Sequence, residues 1–229
     1  MLSTAPMMKS SILHDFSSVQ VLKSAFPLRI SASVENALRV VPRGQQTPVA
    51  GDAARVFTNQ GSFRPLRRVY SDYVYAASGG WSTQARWKLT GLEQDILACI
   101  YSVHHDGLVR VQTVNRLMRC DQEWALAYLL NLLGEYVIEI GELIDYRRHL
   151  VSSDRMAEFA ALNPVFLRRI CSRVVSYWHA QSRHAMHWGS DHPTYERLSD
   201  HPGYRALSQW GIWPTRCARK LRRKESRNK

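Results

Sequence analysis

The sequence predicts a mainly α-helical bundle over residues 66–213, flanked by flexible basic termini. Two observations carry that expectation. Apolar residues recur at spacings of three and four over most of residues 92–178, the period of a helix with one buried face. Helix-start signals stand where the runs begin: Thr90 three residues before Glu93, and Pro164 directly after Asn163. With 45% hydrophobic residues in 229, the chain can fill a core. No stretch approaches the roughly 18 uninterrupted apolar residues that a membrane span requires.

Residues 1–65 read as a poorly ordered basic N-terminal region and linker. Eight serines lie within residues 1–34, with Lys9, Lys23 and Arg29 against the single acid Asp15. That composition resembles an organellar transit peptide, and it equally suits a disordered leader. The stretch "PRGQQTPVAGDAARVFTNQGSFRP", residues 42–65, mixes Pro, Gly, Gln and Asn without sustained periodicity, as a long loop does. After it, Arg67 and Arg68 precede Val69, Tyr73 and Tyr75, a basic and aromatic arm. Such an arm either touches nucleic acid or docks on its own domain.

The first bundle helix falls in "LTGLEQDILACIYSVHHDG", residues 89–107, with Thr90 and Glu93 as a capping box and Gly107 as a stop. Leu92, Ile96, Ile100 and Val103 form its apolar stripe. A shorter helix over residues 112–119 follows a short "LVRV", and Asp121 caps a third helix, "QEWALAYLLNLLGEYV". A helix, a short "LVRV", a helix, a three-residue break and a longer helix resemble the helix-turn-helix core of a winged-helix domain over residues 90–150, with "EYVIEIGELIDYRRHLV" in the place of the wing. The resemblance implies DNA binding, with recognition by the helix beginning near Asp121 and phosphate contact by the wing.

The charge pattern opposes that mode of reading DNA. The would-be recognition helix opens Asp121-Gln122-Glu123-Trp124 and has no Lys or Arg before Arg147. Leu126, Leu129, Leu130, Leu133, Val137, Ile140, Leu143 and Ile144 also continue at helical spacing, favouring one long helix over a hairpin, although "YVIEI" is rich in strand-favouring residues. Ser153 then caps a short helix ending near Leu162. Pro164 opens another, with Arg168, Arg169 and Arg173 clustered near one side, either a phosphate-binding group or a solvated face.

Charge is unevenly distributed. Residues 1–89 carry 11 Lys or Arg against 4 Asp or Glu, and residues 90–150 carry 5 against 9. Residues 151–215 carry 7 against 5, and residues 216–229 carry 8 against 1. The net of +12 therefore sits at the two ends. Residues 214–229 read as a basic disordered tail in which Arg216, Arg219, Lys220, Arg222, Arg223 and Lys224 would contact nucleic acid or another polyanion, joined by Arg67 and Arg68. This points to a non-enzymatic, nucleic-acid-associated or regulatory protein. The competing reading is a protein-interaction adaptor or inhibitor anchored by Trp124 and Tyr128, aromatic residues of the kind that dominate interfaces.

No phosphate loop, dinucleotide fingerprint or nucleophile elbow is present, so no catalytic residue and no cofactor is assigned. Cys99, Cys120, Cys171 and Cys217 stand far apart, without zinc-ribbon spacing, which fits a reducing, cytoplasmic compartment; an organellar one is the alternative if residues 1–34 are a transit peptide. His184 and His187 would share a helix face, with Asp191 or Asp200 within reach of a metal. The twice-written Asp-His-Pro at residues 191–193 and 200–202 reads instead as two helix starts, because Asp caps and Pro fits the first turn; the second helix should end near Gly211.

Overall fold

A computed structural model of the chain describes residues 16–41, 49–50, 54–70, 89–188 and 195–214. It is a mainly helical bundle. Helices α1 (Phe16–Ser24) and α2 (Ser31–Leu38) are joined through Pro27 and a 3-10 turn at Leu28–Ile30. Four short strands follow: β1 (Val49–Ala50), β2 (Val56–Thr58), β3 (Gly61–Phe63) and β4 (Leu66–Arg68). They pair antiparallel as β1 with β4 and β2 with β3. Gly61 closes the β2–β3 turn at φ 115°, a conformation open to glycine.

The bundle proper comprises α3 (Gly91–Tyr101), α4 (Gly107–Leu117), α5 (Ala125–Leu133), α6 (Ile138–Arg147), α7 (Ser153–Leu162), α8 (Pro164–Trp188) and α9 (Pro202–Gln209). Helix α5, "ALAYLLNLL", is apolar nearly all round, and every one of its residues is buried. Such a helix is stable only when surrounded. It touches α3, α4, α6 and α8, and α2 lies against α3.

The N-terminal helices belong to this core. Leu22, Phe26, Val34 and Leu38 are buried, each side chain contributing about 1.5–3 kcal/mol on burial. Phe26 meets Trp124 edge-on at 5.4 Å and stacks on Tyr128 at 5.4 Å, while Phe63 also stacks on Tyr128, at 6.4 Å. The Tyr128 hydroxyl donates to the Ala25 carbonyl at 2.7 Å. The expectation of a poorly ordered region over residues 1–65 is therefore corrected for residues 16–41 and 54–65, which fold against the bundle. Within residues 214–229, those from 215 onward lie outside the described residues.

Several boundaries also move. The Thr90–Glu93 capping box forms as expected, with both reciprocal hydrogen bonds. Gly107 does not stop a helix. It begins α4, because Asp106 supplies an N-cap that accepts from the Leu108 N–H at 2.8 Å. The stretch "LVRV" lies inside that helix. Asp121 caps nothing: it is exposed, and α5 starts only at Ala125. Ser152, not Ser153, caps α7.

The long helix expected through residues 134–150 is broken. Helix α5 ends at Leu133, the chain turns through Gly134–Val137, and α6 begins at Ile138. A helix, not a β-hairpin, therefore occupies the place of the wing. A glycine stands at this turn, where a side chain would have no room. A Cβ on Gly134 would sit 3.1 Å from Arg173 Cβ and 3.2 Å from Arg173 Nε, so Arg173 of α8 crosses close to the backbone where α5 ends.

Candidate anion-binding pocket

A cavity of about 410 Å³ opens beside that crossing. One wall is a stripe of α8: Phe166, Arg169, Ile170, Arg173 and Tyr177 recur at spacings of three and four, so they share a face. The opposite wall is β4 with Leu66, Arg67 and Arg68, and Ala54 precedes the β2–β3 hairpin. The floor is Asn131 from α5 and Glu135 just beyond it.

Glu135 organises the site. It is 9% exposed, and its Oε1 accepts from Arg173 Nη2 at 2.8 Å while its Oε2 accepts from Arg68 Nη2 at 3.3 Å. Arg173 also reaches Asn131 Oδ1 at 3.4 Å, and Arg68 donates to the His104 carbonyl at 3.1 Å. A third arginine stands behind the carboxylate. Arg110, with 0% exposure, has Nη2 at 3.9 Å from Glu135 Oε2 and donates through Nη1 to the carbonyls of His104 at 2.6 Å and His105 at 3.0 Å. Its guanidinium also lies 5.6 Å from the centre of the Tyr136 ring.

β4 is held in place by the loop it lies on. Val69 N–H donates to the Val103 carbonyl and accepts through its own carbonyl from His105 N–H, each at 2.9 Å. The Arg67–Val69 arm thus docks on its own domain, and that docking carries Arg67 and Arg68 to the cavity. Arg67 and Arg169 are exposed at the rim. Among the described residues, the lining thus brings four arginines together around one carboxylate, which is already engaged by Arg68, Arg173 and Arg110. Guanidinium forks match the oxygens of phosphate and carboxylate groups, and the fixed orientation of Arg68 and Arg173 lowers the cost of ordering them on a ligand.

Other expected sites are placed differently. Arg216, Arg219, Lys220, Arg222, Arg223 and Lys224 lie outside the described residues, as do the side chains of His184, His187 and the first Asp-His-Pro. Trp124 and Tyr128 are both 0% exposed and form the aromatic centre of the core, so the expectation that they anchor a partner is corrected: no partner can reach them in the folded chain. Their apolar surroundings, Phe26 and Phe63, come from distant segments and draw them inward. Cys99, Cys120 and Cys171 are buried and not joined in disulfides. Burial pushes the Cys99 thiol well up and the Cys120 thiol up to about 12, which suppresses the reactive thiolate.

The second Asp-His-Pro does start a helix, but His201 rather than Asp200 is the cap. Its Nδ1 accepts from the Gly203 N–H at 3.2 Å, and Pro202 takes the first helical position. Nε2 then carries the proton, and it is buried with no hydrogen-bond partner among the described residues. Burial and, secondarily, the nearby Arg205 charge push the imidazole down to about 4. Helix α9 ends in a Schellman arrangement: Gly211 at φ 70° donates to Ser208 at 3.0 Å and Ile212 donates to Leu207 at 3.0 Å. Beside it, Asp145 accepts from Arg205 Nε at 2.8 Å and from Arg148, and Glu142 accepts from the Tyr195 hydroxyl at 2.6 Å. Residues 195–197, just before the 3-10 turn at Leu198–Asp200, are not helical.

Among the described residues, no group of three or more His, Cys, Asp or Glu is arranged to hold a metal ion, and no helix is long and apolar enough to cross a membrane. Sequence reasoning noted Arg67, Arg68, Arg169 and Arg173 in separate places but missed Glu135, which joins them. The available signal was a lone carboxylate directly after a helix-breaking glycine in an otherwise apolar run. No protein-family model, curated protein or solved structure matches this chain.

Proposed function

We infer that this chain is a non-enzymatic binding protein whose ligand is nucleic acid. The observation that carries the reading is the cavity that Arg67, Arg68, Arg169 and Arg173 line together with Glu135, the one carboxylate among the described lining residues. Phosphate groups are the ligands that such guanidinium groups fit. The adjoining apolar wall of Leu66, Phe166, Ile170 and Tyr177 favours a ligand with an apolar or aromatic part beside its phosphate, as a nucleotide has. The eight Lys or Arg among residues 216–229 add attraction of the same sign.

Binding rather than catalysis is favoured by the lining. It holds no Ser, Thr, Cys or His among the described residues, and Glu135 is occupied by its arginines. The test is fluorescence anisotropy with a single-stranded oligonucleotide at two salt concentrations. The full chain, a form lacking residues 216–229 and an Arg67→Gln/Arg169→Gln variant are compared. Salt-sensitive binding that weakens in both altered forms is the expected result. Absence of salt-sensitive binding by the full chain would overturn the reading.

A further inference from the structure

We propose that Tyr136 and Tyr177, beside the arginines that meet Glu135, form a stacking surface for unpaired bases, so that the chain selects single-stranded over duplex nucleic acid. The inference rests on the nucleic-acid reading above and deepens it. What carries it is the interleaving of engaged arginines with partly exposed aromatic rings.

Each group at the Glu135 carboxylate has an aromatic companion close in sequence. On α8, Tyr177 follows Arg173 by four residues, so the two share a helix face, and both line the cavity. Beyond β4, Tyr70 follows Arg68 by two residues; both are half-buried, and Val69 between them is buried, the alternation of an extended chain. Tyr136 follows Glu135 directly. These rings are held in position. Tyr136 has the Arg110 guanidinium 5.6 Å from its centre and the Tyr177 ring at 6.4 Å, tilted by 54°. Its carbonyl accepts from Gln181 Nε2 at 3.2 Å. Tyr70 stacks on His105 at 5.5 Å with the ring planes 22° apart, and the His105 carbonyl accepts from Arg110.

A single exposed apolar residue is ordinary on a protein surface. Tyr136 differs in its surroundings. It is 58% exposed beside Arg68, Arg110 and Arg173, which meet one carboxylate and leave a local excess of two positive charges among the described residues. That excess counts every arginine as paired, and it selects an anionic partner. The rings select a flat, polarisable face within the same partner. A single strand supplies both, because its phosphates follow the arginines while its unpaired bases lie against tyrosine, a contact tolerant of sequence. A duplex supplies the phosphates but keeps the faces of its bases inside its own stack. Ring positions fixed by Arg110 and Gln181 also lower the cost of ordering them on a ligand.

The experiment separates base contact from phosphate contact. Two fluorescent oligodeoxynucleotides of equal length, about ten nucleotides, are compared on the full chain at one salt concentration. One is a thymidine homopolymer, and the other has the same backbone with every base replaced by hydrogen. They carry equal phosphate charge, so a difference between them reports the bases. A third sample holds the thymidine strand annealed to its complement. The expected result is that the single thymidine strand binds at least about fivefold tighter than either the abasic strand or the duplex. Tyr136→Ala/Tyr177→Ala should reduce the preference over the abasic strand to less than about twofold, and Tyr136→Phe/Tyr177→Phe, which keeps both rings, should retain it. Melting curves check that the variants fold, and the comparison of strands on the native chain decides the matter without them. Equal affinity for the thymidine and abasic strands, or a duplex bound as tightly as the single strand, would overturn the stacking surface while leaving nucleic-acid binding standing. Failure to bind any of the three would overturn both. A preference for bases that survives in the folded double-alanine variant would overturn the assignment to these two rings.

Discussion

Replacing Glu135 by Ala should destabilise the fold chiefly through Arg110. The three arginines that meet this carboxylate do not depend on it equally. Arg68 and Arg173 have side chains 24% and 38% exposed, so water solvates them when the partner is lost and each loss costs little. Arg110 is fully buried, and its Nε and Nη2 have no hydrogen bond among the described residues. Glu135 Oε2 lies 3.9 Å from Arg110 Nη2. At an effective dielectric constant of about 20, that separation corresponds to roughly 4 kcal/mol of attraction. The figure agrees with the ~3–5 kcal/mol typical of removing one member of a buried ion pair. For a chain of this size the melting temperature should fall by about 6–20 °C. Differential scanning calorimetry at pH 7 measures it. Adding Arg110→Met to Glu135→Ala should recover most of the loss, since the orphaned charge is then gone. A Glu135→Ala protein that melts within about 2 °C of the native one would refute the reasoning.

Two further predictions address acid stability and the aromatic core. The imidazole of His201 is held at about 4, below its usual 6.5, so the unfolded chain takes up a proton between these values that the folded chain cannot. Its contribution to stability is full above pH 6.5 and falls by roughly 3 kcal/mol as the pH drops to 4. In His201→Asn, which keeps a capping acceptor without a titrating group, urea unfolding at pH 7 and pH 4.5 should show correspondingly weaker pH dependence; an unchanged dependence would assign the acid sensitivity elsewhere. Trp124→Ala should cost about 3–5 kcal/mol by thermal melting, as for a fully buried aromatic side chain, whereas a surface anchor would leave stability nearly unchanged.

The sequence made some helix starts and stops legible, while Gly107, Asp121, Ser153 and Asp200 do not take the roles expected of them. Thr90 with Glu93, Pro164 after Asn163, and the stop at Gly211 all behave as their residue types require. The break between α5 and α6 was hidden because the apolar spacing continues on both sides of it. The approach of Arg173, distant in sequence, shows why position 134 carries no side chain. Helices α1 and α2 were missed because they have nine and eight residues and are separated by Pro27, too short to display a period. They are held by packing against segments distant in sequence: α2 lies against α3, and Phe26 between the two helices meets Trp124 and Tyr128, a contact that also turned two supposed surface anchors into core. The pocket was half legible. Its arginines were visible as charges, but the convergence of β4 with α8 depends on Glu135, and a single buried carboxylate leaves no pattern in a sequence.

The most direct test of the proposed function is the salt dependence of single-strand binding by the native chain and the Arg67→Gln/Arg169→Gln variant. Each phosphate contact on a single strand contributes about 0.7 to the slope of log affinity against log salt. If these two exposed arginines hold phosphate, the variant's slope should be shallower by about 1.4 with its melting temperature unchanged. An identical slope in the two proteins would contradict the account.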